Sequence, residues 1–498
     1  MKRRQILLNA LTTLAQVIGN AGVLFFLYRF LIRTIGVERL GIWSLVLGTT
    51  SVVWLANQGF STSIVKFAAK YAAREKNEEV SALLQTAVIS AGIFLAVISA
   101  AIYPGAKWIL QAVLPQASLA EARAILPLAL VSLWINVIAA ILQAGLAGHE
   151  LITHCNYVDL GGSLSYLLLA VWLVPRHGLM GLAYAQAIQA AAALLVTWSL
   201  LRRRISGLPL VPRRWDRVLF REMAAYGFHF QLITASQAVR EPVTKALLAR
   251  FGGLALTGYY DLASRWVVTF RELIVQANQV LVPTISQLQE RDPDQIPSVY
   301  RESYRLVFFL AVPVFASLTV LSPLVSRVWI GHYEPVFAEF VAIVALGWLV
   351  NVLSNPAYVV GLGTGTLRWV SAGCATTAIL NAGLGFFAGL FGGGIAVVAA
   401  SAFSLASGYV IVLAAHHLAN RVPFGQLLPK ESAGILFTSI LGALLFLLVL
   451  YSSSARALAS LSIPTATMAA LLAAISVAMW VHPMRKRLLR WVFSRAPA

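Results

Sequence analysis

The chain has 498 residues, of which 59% are hydrophobic and only 11% charged, with a mean hydropathy of +0.79. That balance excludes a soluble globular domain, and the lack of strand-like polar/apolar alternation excludes an outer-membrane barrel. The formal net charge of +19 is scattered over many short segments, which excludes a nucleic-acid surface as its explanation.

Apolar stretches of about 20 residues recur along the chain, each long enough to cross a hydrocarbon layer of roughly 30 Å as a helix. In chain order they are expected at 6–28, 40–62, 82–103, 122–147, 155–174, 178–201, 222–248, 256–283, 304–325, 336–360, 369–390, 393–415, 432–451 and 463–482, which makes about 14 transmembrane helices. The first follows Lys2, Arg3 and Arg4 and carries Asn9, Thr13, Gln16 and Asn20. Their spacing of i, i+4, i+7 and i+11 puts all four on one helical face. With Thr12 also present and no small-residue cleavage site, this segment is expected to be retained as a span. Its polar face either lines a cavity or hydrogen-bonds neighbouring helices. Asn57 and Gln58 on the second span pose the same choice. The fifth span carries Asp159, the only acidic residue expected inside the first six.

Between the sixth and seventh spans lies the most polar interior break, 202–221, with Arg202, Arg203, Arg204, Pro209, Pro212, Arg213, Arg214 and Arg217. It separates an N-terminal six-helix lobe, 1–201, from a C-terminal six-helix lobe, 222–418. Residues 419–498 add two further helices and a basic tail. In that tail Arg485, Lys486, Arg487 and Arg490 are expected to lie on an anionic leaflet.

The seventh and eighth spans are unlike the rest. The seventh carries Arg240, Glu241 and Lys245, the last two an i, i+4 pair. The eighth carries Asp261, Arg265 and Glu272 on one face, with Arg271 beside them. An isolated charge in lipid costs from about 2.5 to well over 10 kcal/mol, so these groups must pair, reach an interface or line water. One reading is a set of salt bridges that locks two helices. The other is a cavity whose cations, Arg240, Lys245, Arg265 and Arg271, hold an anionic headgroup while Glu241, Asp261 and Glu272 act as charge partners. Arginine suits phosphate because its guanidinium binds it bidentately.

A repeat links the two halves. Leu31, Arg33, Gly36, Gly41 and Leu45 align without gaps on Leu248, Arg250, Gly253, Gly258 and Leu262, and Trp43 falls on Tyr260, all at one offset of 217 residues. The offset covers six spans, an even number, so both copies share one orientation. A parallel pseudo-two-fold axis along the membrane normal, with a cavity between the lobes, is the architecture this predicts for a transporter. Counting Lys and Arg in the connections, with Arg123 and Arg305 at the span edges included and the N-terminus inside, places 25 on the cytoplasmic side and 9 on the other. This fits the positive-inside rule and puts both termini in the cytoplasm.

Cys155 and Cys374 stand alone in separate spans and give neither a disulfide framework nor a metal pattern. There is no phosphate loop, H-E-x-x-H or G-x-S-x-G sequence. No cofactor, metal or catalytic residue is therefore expected, and the chain is not expected to be an enzyme.

The chain resembles the polysaccharide transporters of the multidrug/oligosaccharidyl-lipid/polysaccharide exporter superfamily, in particular the O-antigen flippase (Wzx) type. The resemblance spans essentially the whole length. It rests on the basic N-terminus before a polar first span, on Gly36-Val-Glu38-Arg39-Leu40-Gly41-Ile42-Trp43, on Leu247 to Gly252 through Gly258-Tyr259-Tyr260, and on Trp329-Ile-Gly331-His-Tyr333. Many relatives carry an acidic residue late in the second span where this chain reads Asn57-Gln58-Gly59, so no coupling carboxylate is carried over there. The resemblance implies movement of a polyprenyl-diphosphate-linked oligosaccharide across the bacterial inner (plasma) membrane for surface polysaccharide biosynthesis. An H+ or Na+ gradient or consumption of the glycan would drive it, with glycosyltransferases and a polysaccharide polymerase as functional partners. Two rivals are a cation-coupled multidrug antiporter of the same superfamily, which would favour carboxylates in its cavity, and an integral-membrane glycosyltransferase or polymerase. The second would need a sizeable external loop, and the connection near 326–336 is short.

Overall fold

A backbone in lipid must satisfy its own hydrogen bonds, and a chain this apolar answers with helices. The computed structural model describes residues 3–72, 76–149, 151–205, 207–209, 211–224, 239–279, 281–366, 368–452 and 462–486. Among them no strand occurs, and the chain divides into two compact units, Met1–Gly258 and Tyr259–Ala498.

The first unit contains α1 (Arg3–Ala72), α2 (Asn77–Val113), α3 (Gln116–Gly148), α4 (Ile152–Arg204) and α5 (Arg240–Phe251), and α6 (Gly253–Gln279) begins at its end. The second unit holds most of α6, then α7 (Leu281–Arg291), α8 (Ile296–Ile330), α9 (Pro335–Thr364), α10 (Arg368–Ala419), α11 (Ala433–Ser452) and α12 (Ser462–Val481). Seven helical segments among the described residues are long and apolar enough to cross a membrane. Large apolar side chains face outward along them; Phe391 is 88% exposed, which suits a lipid-facing belt and would be costly in water.

Three helices carry two expected spans each. Straight, the 70 residues of α1 would reach roughly 105 Å at 1.5 Å per residue, far more than a bilayer. The connections expected between these spans turn out to be sharp breaks around single glycines, not loops. Gly36 breaks α1 (φ 82°), Gly178 breaks α4 (φ 57°) and Gly393 breaks α10 (φ 68°). Positive φ is nearly free for glycine and strained for other residues. The chain reverses at the latter two: a Cβ on Gly181 would strike the Leu173 carbonyl, and one on Gly373 would strike the Gly408 carbonyl. A one-residue reversal exposes few backbone groups, which explains why the sequence shows no polar loop there.

The 217-residue repeat has a physical counterpart. Gly253, the repeat mate of Gly36, has φ 84° against 82° and separates α5 from α6 as Gly36 separates the halves of α1. Paired positions share burial: Leu31 and Leu248, Trp43 and Tyr260, and Leu45 and Leu262 are buried, while Arg33 and Arg250 are exposed. The two copies also touch. A Cβ on Gly41 would overlap the Leu254 carbonyl, and one on Gly258 would lie 2.5 Å from the Val37 carbonyl oxygen. Because 37 pairs with 254 and 41 with 258 by the same offset, the contact is reciprocal, as in an isologous interface.

The basic linker is stapled to α2. Gln85 Oε1 accepts the backbone N–H groups of Arg213 and Arg214 at 3.0 Å each, and Thr86 Oγ1 accepts that of Asp216 at 3.1 Å. In the second unit α11 and α12 pack on α8 through a cluster of Val320, Phe446 and Met468.

The reciprocal contact makes a prediction. Gly41→Val or Gly258→Val must push a side chain into a backbone carbonyl, and overpacking of this kind costs about 1–3 kcal/mol. Each is expected to lower the thermal unfolding midpoint of the detergent-solubilised protein by several degrees. Gly22→Ala, where nothing lies within 4 Å, should leave it unchanged. An undisturbed midpoint in both valine variants would contradict the contact.

Candidate functional site

Polar side chains inside apolar helices gather in three places, two in the first unit and one in the second. In the first unit α5 packs along α1 and α2. At Gly48 of α1, an added Cβ would lie 3.4 Å from Lys245 Cδ, so the missing side chain leaves room for the lysine stem. Lys245 is buried, and its Nζ sits 2.9 Å from Glu241 Oε1, whose side chain is about half exposed. Arg240 is buried one turn earlier. The i, i+4 spacing read from sequence thus forms an ion pair whose cation lies inside the protein and whose anion reaches outward.

The second place is a polar pocket of about 450 Å³ between α1, α3 and α4. Gln16 and Asn20 of the expected polar stripe line it, joined by Asn136 and Gln143 of α3 and by Asp159 and Gln186 of α4. Thr13 does not stand free: Asn156 Nδ2 donates to Thr12 Oγ1 at 3.0 Å and to Thr13 Oγ1 at 2.9 Å. Part of the stripe therefore bonds a neighbouring helix, and part lines a pocket within the first unit. The side chains of Asn9, Asn57 and Gln58 lie outside the described residues.

The third place is in the second unit. Arg265 Nε donates to Asp261 Oδ2 at 2.9 Å; the carboxylate is buried and the guanidinium about one-third exposed. Arg271 pairs with Glu272 through Nη1, donates from Nε to Asn351 Oδ1 at 3.2 Å, and lies 5.0 Å over the Trp348 ring. Further along the same helices, Asn278 Nδ2 donates to Asn355 Oδ1 at 2.7 Å, and Ser303 Oγ donates to Asn278 Oδ1 at 2.6 Å. Asn278, Ser303, Asn351 and Asn355 are all buried. They form a ladder joining α6, α8 and α9, and buried polar networks of this kind specify one packing when fully satisfied. Sequence reasoning missed the ladder. Its trace was the i, i+4 pair Asn351 and Asn355 in the largely apolar tenth span, a signal of the kind that marked the first.

All seven charged residues expected in spans seven and eight thus lie in or beside ion pairs. Among the described residues no three His, Cys, Asp or Glu side chains converge as metal ligands would.

A family model described as polysaccharide biosynthesis protein matches residues 30–334. No curated protein matches the chain. Among solved structures the chain is similar to the lipid II flippase MurJ in an inward closed conformation, with a TM-score of 0.72 and 12% identity over 98% of this chain and 100% of that one. It is also similar to an inward-facing multidrug resistance MATE transporter of the MOP superfamily, with a TM-score of 0.67 and 13% identity over 81% and 98%. A mutant of the Vibrio cholerae MATE transporter VcmN gives 0.61 and 14% over 85% and 99%. These likenesses are of fold: a multi-pass, all-α membrane protein built on the two-lobed transporter plan.

The buried Asp261 carboxylate yields a prediction about stability. Breaking a buried ion pair by removing one partner costs about 3–5 kcal/mol, whereas replacing both partners by apolar groups is often neutral. Asp261→Ala is expected to lower the thermal midpoint in detergent strongly, and the joint change Asp261→Leu with Arg265→Met far less. Equal losses in the two variants would show that the pair does not carry the energy of that contact.

Proposed function

The chain belongs to the polysaccharide biosynthesis protein family, and on that premise we propose that it is a flippase for a polyprenyl-diphosphate-linked oligosaccharide. The observation that carries the reading is the retention of four basic side chains on α5 and α6, Arg240, Lys245, Arg265 and Arg271, where burial is expensive and ion pairing alone seldom improves on apolar packing. A diphosphate is the part of such a substrate that lipid excludes most strongly. Guanidinium groups bind it in a planar, bidentate way that an ammonium cannot match. The flanking carboxylates Glu241, Asp261 and Glu272 hold the cations in place until the anion displaces part of that pairing.

The glycan needs a different environment. Amide and hydroxyl side chains can hydrogen-bond its hydroxyls, and Thr13, Gln16, Asn20, Asn57 and Gln58 are of that kind, as is Asn9. The polyprenyl tail can remain in lipid while the headgroup crosses, so the two lobes, 1–201 and 222–418, need only alternate access around the headgroup. That the similar MurJ structure is named a lipid II flippase supports a lipid-linked cargo. The similar MATE structures are named as multidrug resistance transporters. An antiporter of that kind would favour carboxylates over the cation surplus seen on α5 and α6.

In this reading the protein lies in the bacterial plasma membrane with both termini cytoplasmic, as the 25 to 9 distribution of basic residues predicts. Glycosyltransferases would supply its substrate and a polymerase would consume it.

The test is genetic and chemical. A deletion strain is expected to accumulate a lipid-linked glycan on the cytoplasmic side, identified by mass spectrometry. Arg240→Ala or Arg265→Ala should abolish export while leaving membrane abundance unchanged, and Arg→Lys at either position should restore only part of it. Normal export by the double alanine variant at wild-type abundance would reduce the cluster to a structural lock.

A further inference from the structure

Between the two halves of α4 runs a groove of about 460 Å³ that the flippase reading does not use. We propose that it binds one anionic phospholipid, with an acyl chain lying along the groove and the phosphate held by Arg203, Arg204 and His154.

The lining gives the first argument. All of it belongs to α4, running from His154 to Ser165 in the half before Gly178 and from Gln189 to Leu200 in the half after. Gly161, Gly162, Ala192 and Ala193 lack bulk, so the two halves leave a channel that larger side chains would fill. A Cβ on Gly161 would meet nothing within 4 Å. Tyr157 and Val196 on the lining are exposed, as are Leu164 and Leu195 next to it. The groove is therefore open along an apolar surface, which in a membrane protein is a surface for lipid.

Length and charge select the occupant. From His154 to Ser165 the helix rises about 16 Å, close to one leaflet's half of a roughly 30 Å hydrocarbon layer. That suits a single acyl chain. One end of the groove is basic. Counted from Gly178, His154 stands as far along one half of α4 as Arg202 along the other. Gln189, Ala193, Val196 and Leu200 follow one helical stripe, which continues three and four residues later into Arg203 and Arg204. Both arginines are exposed, and neither has an acidic partner among the described residues. His154 Nδ1 is buried with no hydrogen-bond partner among the described residues. A phosphodiester accepts hydrogen bonds from guanidinium and imidazole N–H groups alike, so it would engage all three side chains. A zwitterionic headgroup would bring its own ammonium against the two arginines, whereas an anionic one brings none. The distribution of basic residues predicts this end to be cytoplasmic, on the side whose leaflet carries anionic lipid.

A lipid seated here would bridge the two halves of α4 and oppose their separation. Val158, Gln189 and Ala193 line both this groove and the polar pocket, so the two share a wall. The inference stands whatever the cargo, because it concerns a lipid of the bilayer and not the molecule exported.

Full-length protein purified in detergent would be titrated with dioleoyl phosphatidylglycerol or dioleoyl phosphatidylcholine, and bound lipid counted by native mass spectrometry. Wild type is expected to retain one phosphatidylglycerol saturably and phosphatidylcholine about tenfold more weakly. Arg203→Gln combined with Arg204→Gln should weaken retention of phosphatidylglycerol about thirtyfold. Arg176→Gln, which removes an exposed charge near Gly178 at the other end of both halves, should change nothing. Gly161→Leu fills the groove at a position whose Cβ meets no protein atom, and should abolish retention; should it fail to fold, Ala192→Leu serves the same purpose. Equal retention of the two lipids, or wild-type retention in the groove-filled and double glutamine variants, would overturn the proposal and leave only unspecific lipid around the protein. Displacement of the phospholipid by an equal concentration of a polyprenyl diphosphate would overturn it too, by giving the groove to the cargo.

Discussion

Two short backbone segments in contact set the geometry of the first unit. At Gly41 and Gly258 there is no room for a side chain, because each faces the carbonyl of the residue just after the other copy's helix break. Such close backbone approach is possible only where both partners lack a Cβ, and it fixes the local distance more tightly than side-chain packing would. The breaks themselves, at Gly36 and Gly253, depend on left-handed backbone that other residues resist. Four glycines at one offset therefore determine where two pairs of helices begin and how their ends meet. The placement of Lys245 against Gly48 depends on that start, since α5 runs back from the Gly253 break along α1.

The charged helices obey a different constraint. Ions in an apolar surrounding are held by pairing, and here the pairing is local: Glu241 with Lys245, Asp261 with Arg265, Arg271 with Glu272. Pairing along one helix lowers the charge it carries into the layer; α6 matches two acids with two bases. A carboxylate occupies only part of an arginine's fork. Arg271 directs its surplus at Asn351 and the face of Trp348, which positions it without neutralising it further.

Asp159 presents the contrasting case. Its surroundings are polar but uncharged. Among the described residues Asp159 stands outside any ion pair, whereas every acid on α5 and α6 has one.

How much of this is legible in the sequence divides along one physical line. Hydropathy alone determined that the chain is helical, because crossing lipid imposes one length and one composition on every segment. The repeat at 217 residues singled out Gly36, Gly41, Gly253 and Gly258 by spacing alone, since identical strain at two places requires the same residue twice. The i, i+4 ion pairs were legible for a similar reason: the helix itself sets their distance. What the sequence left open was every partner on another helix. Thr13 and Asn20 share one face, yet one meets Asn156 of α4 and the other a pocket. Asn278, Ser303 and Asn355 bond across 25 to 77 residues, and nothing in their local spacing announces it. Those contacts depend on how helices rotate and cross, which is settled by the packing of the whole unit, and only the tertiary structure decided which polar groups would be satisfied and which would be left facing a cavity.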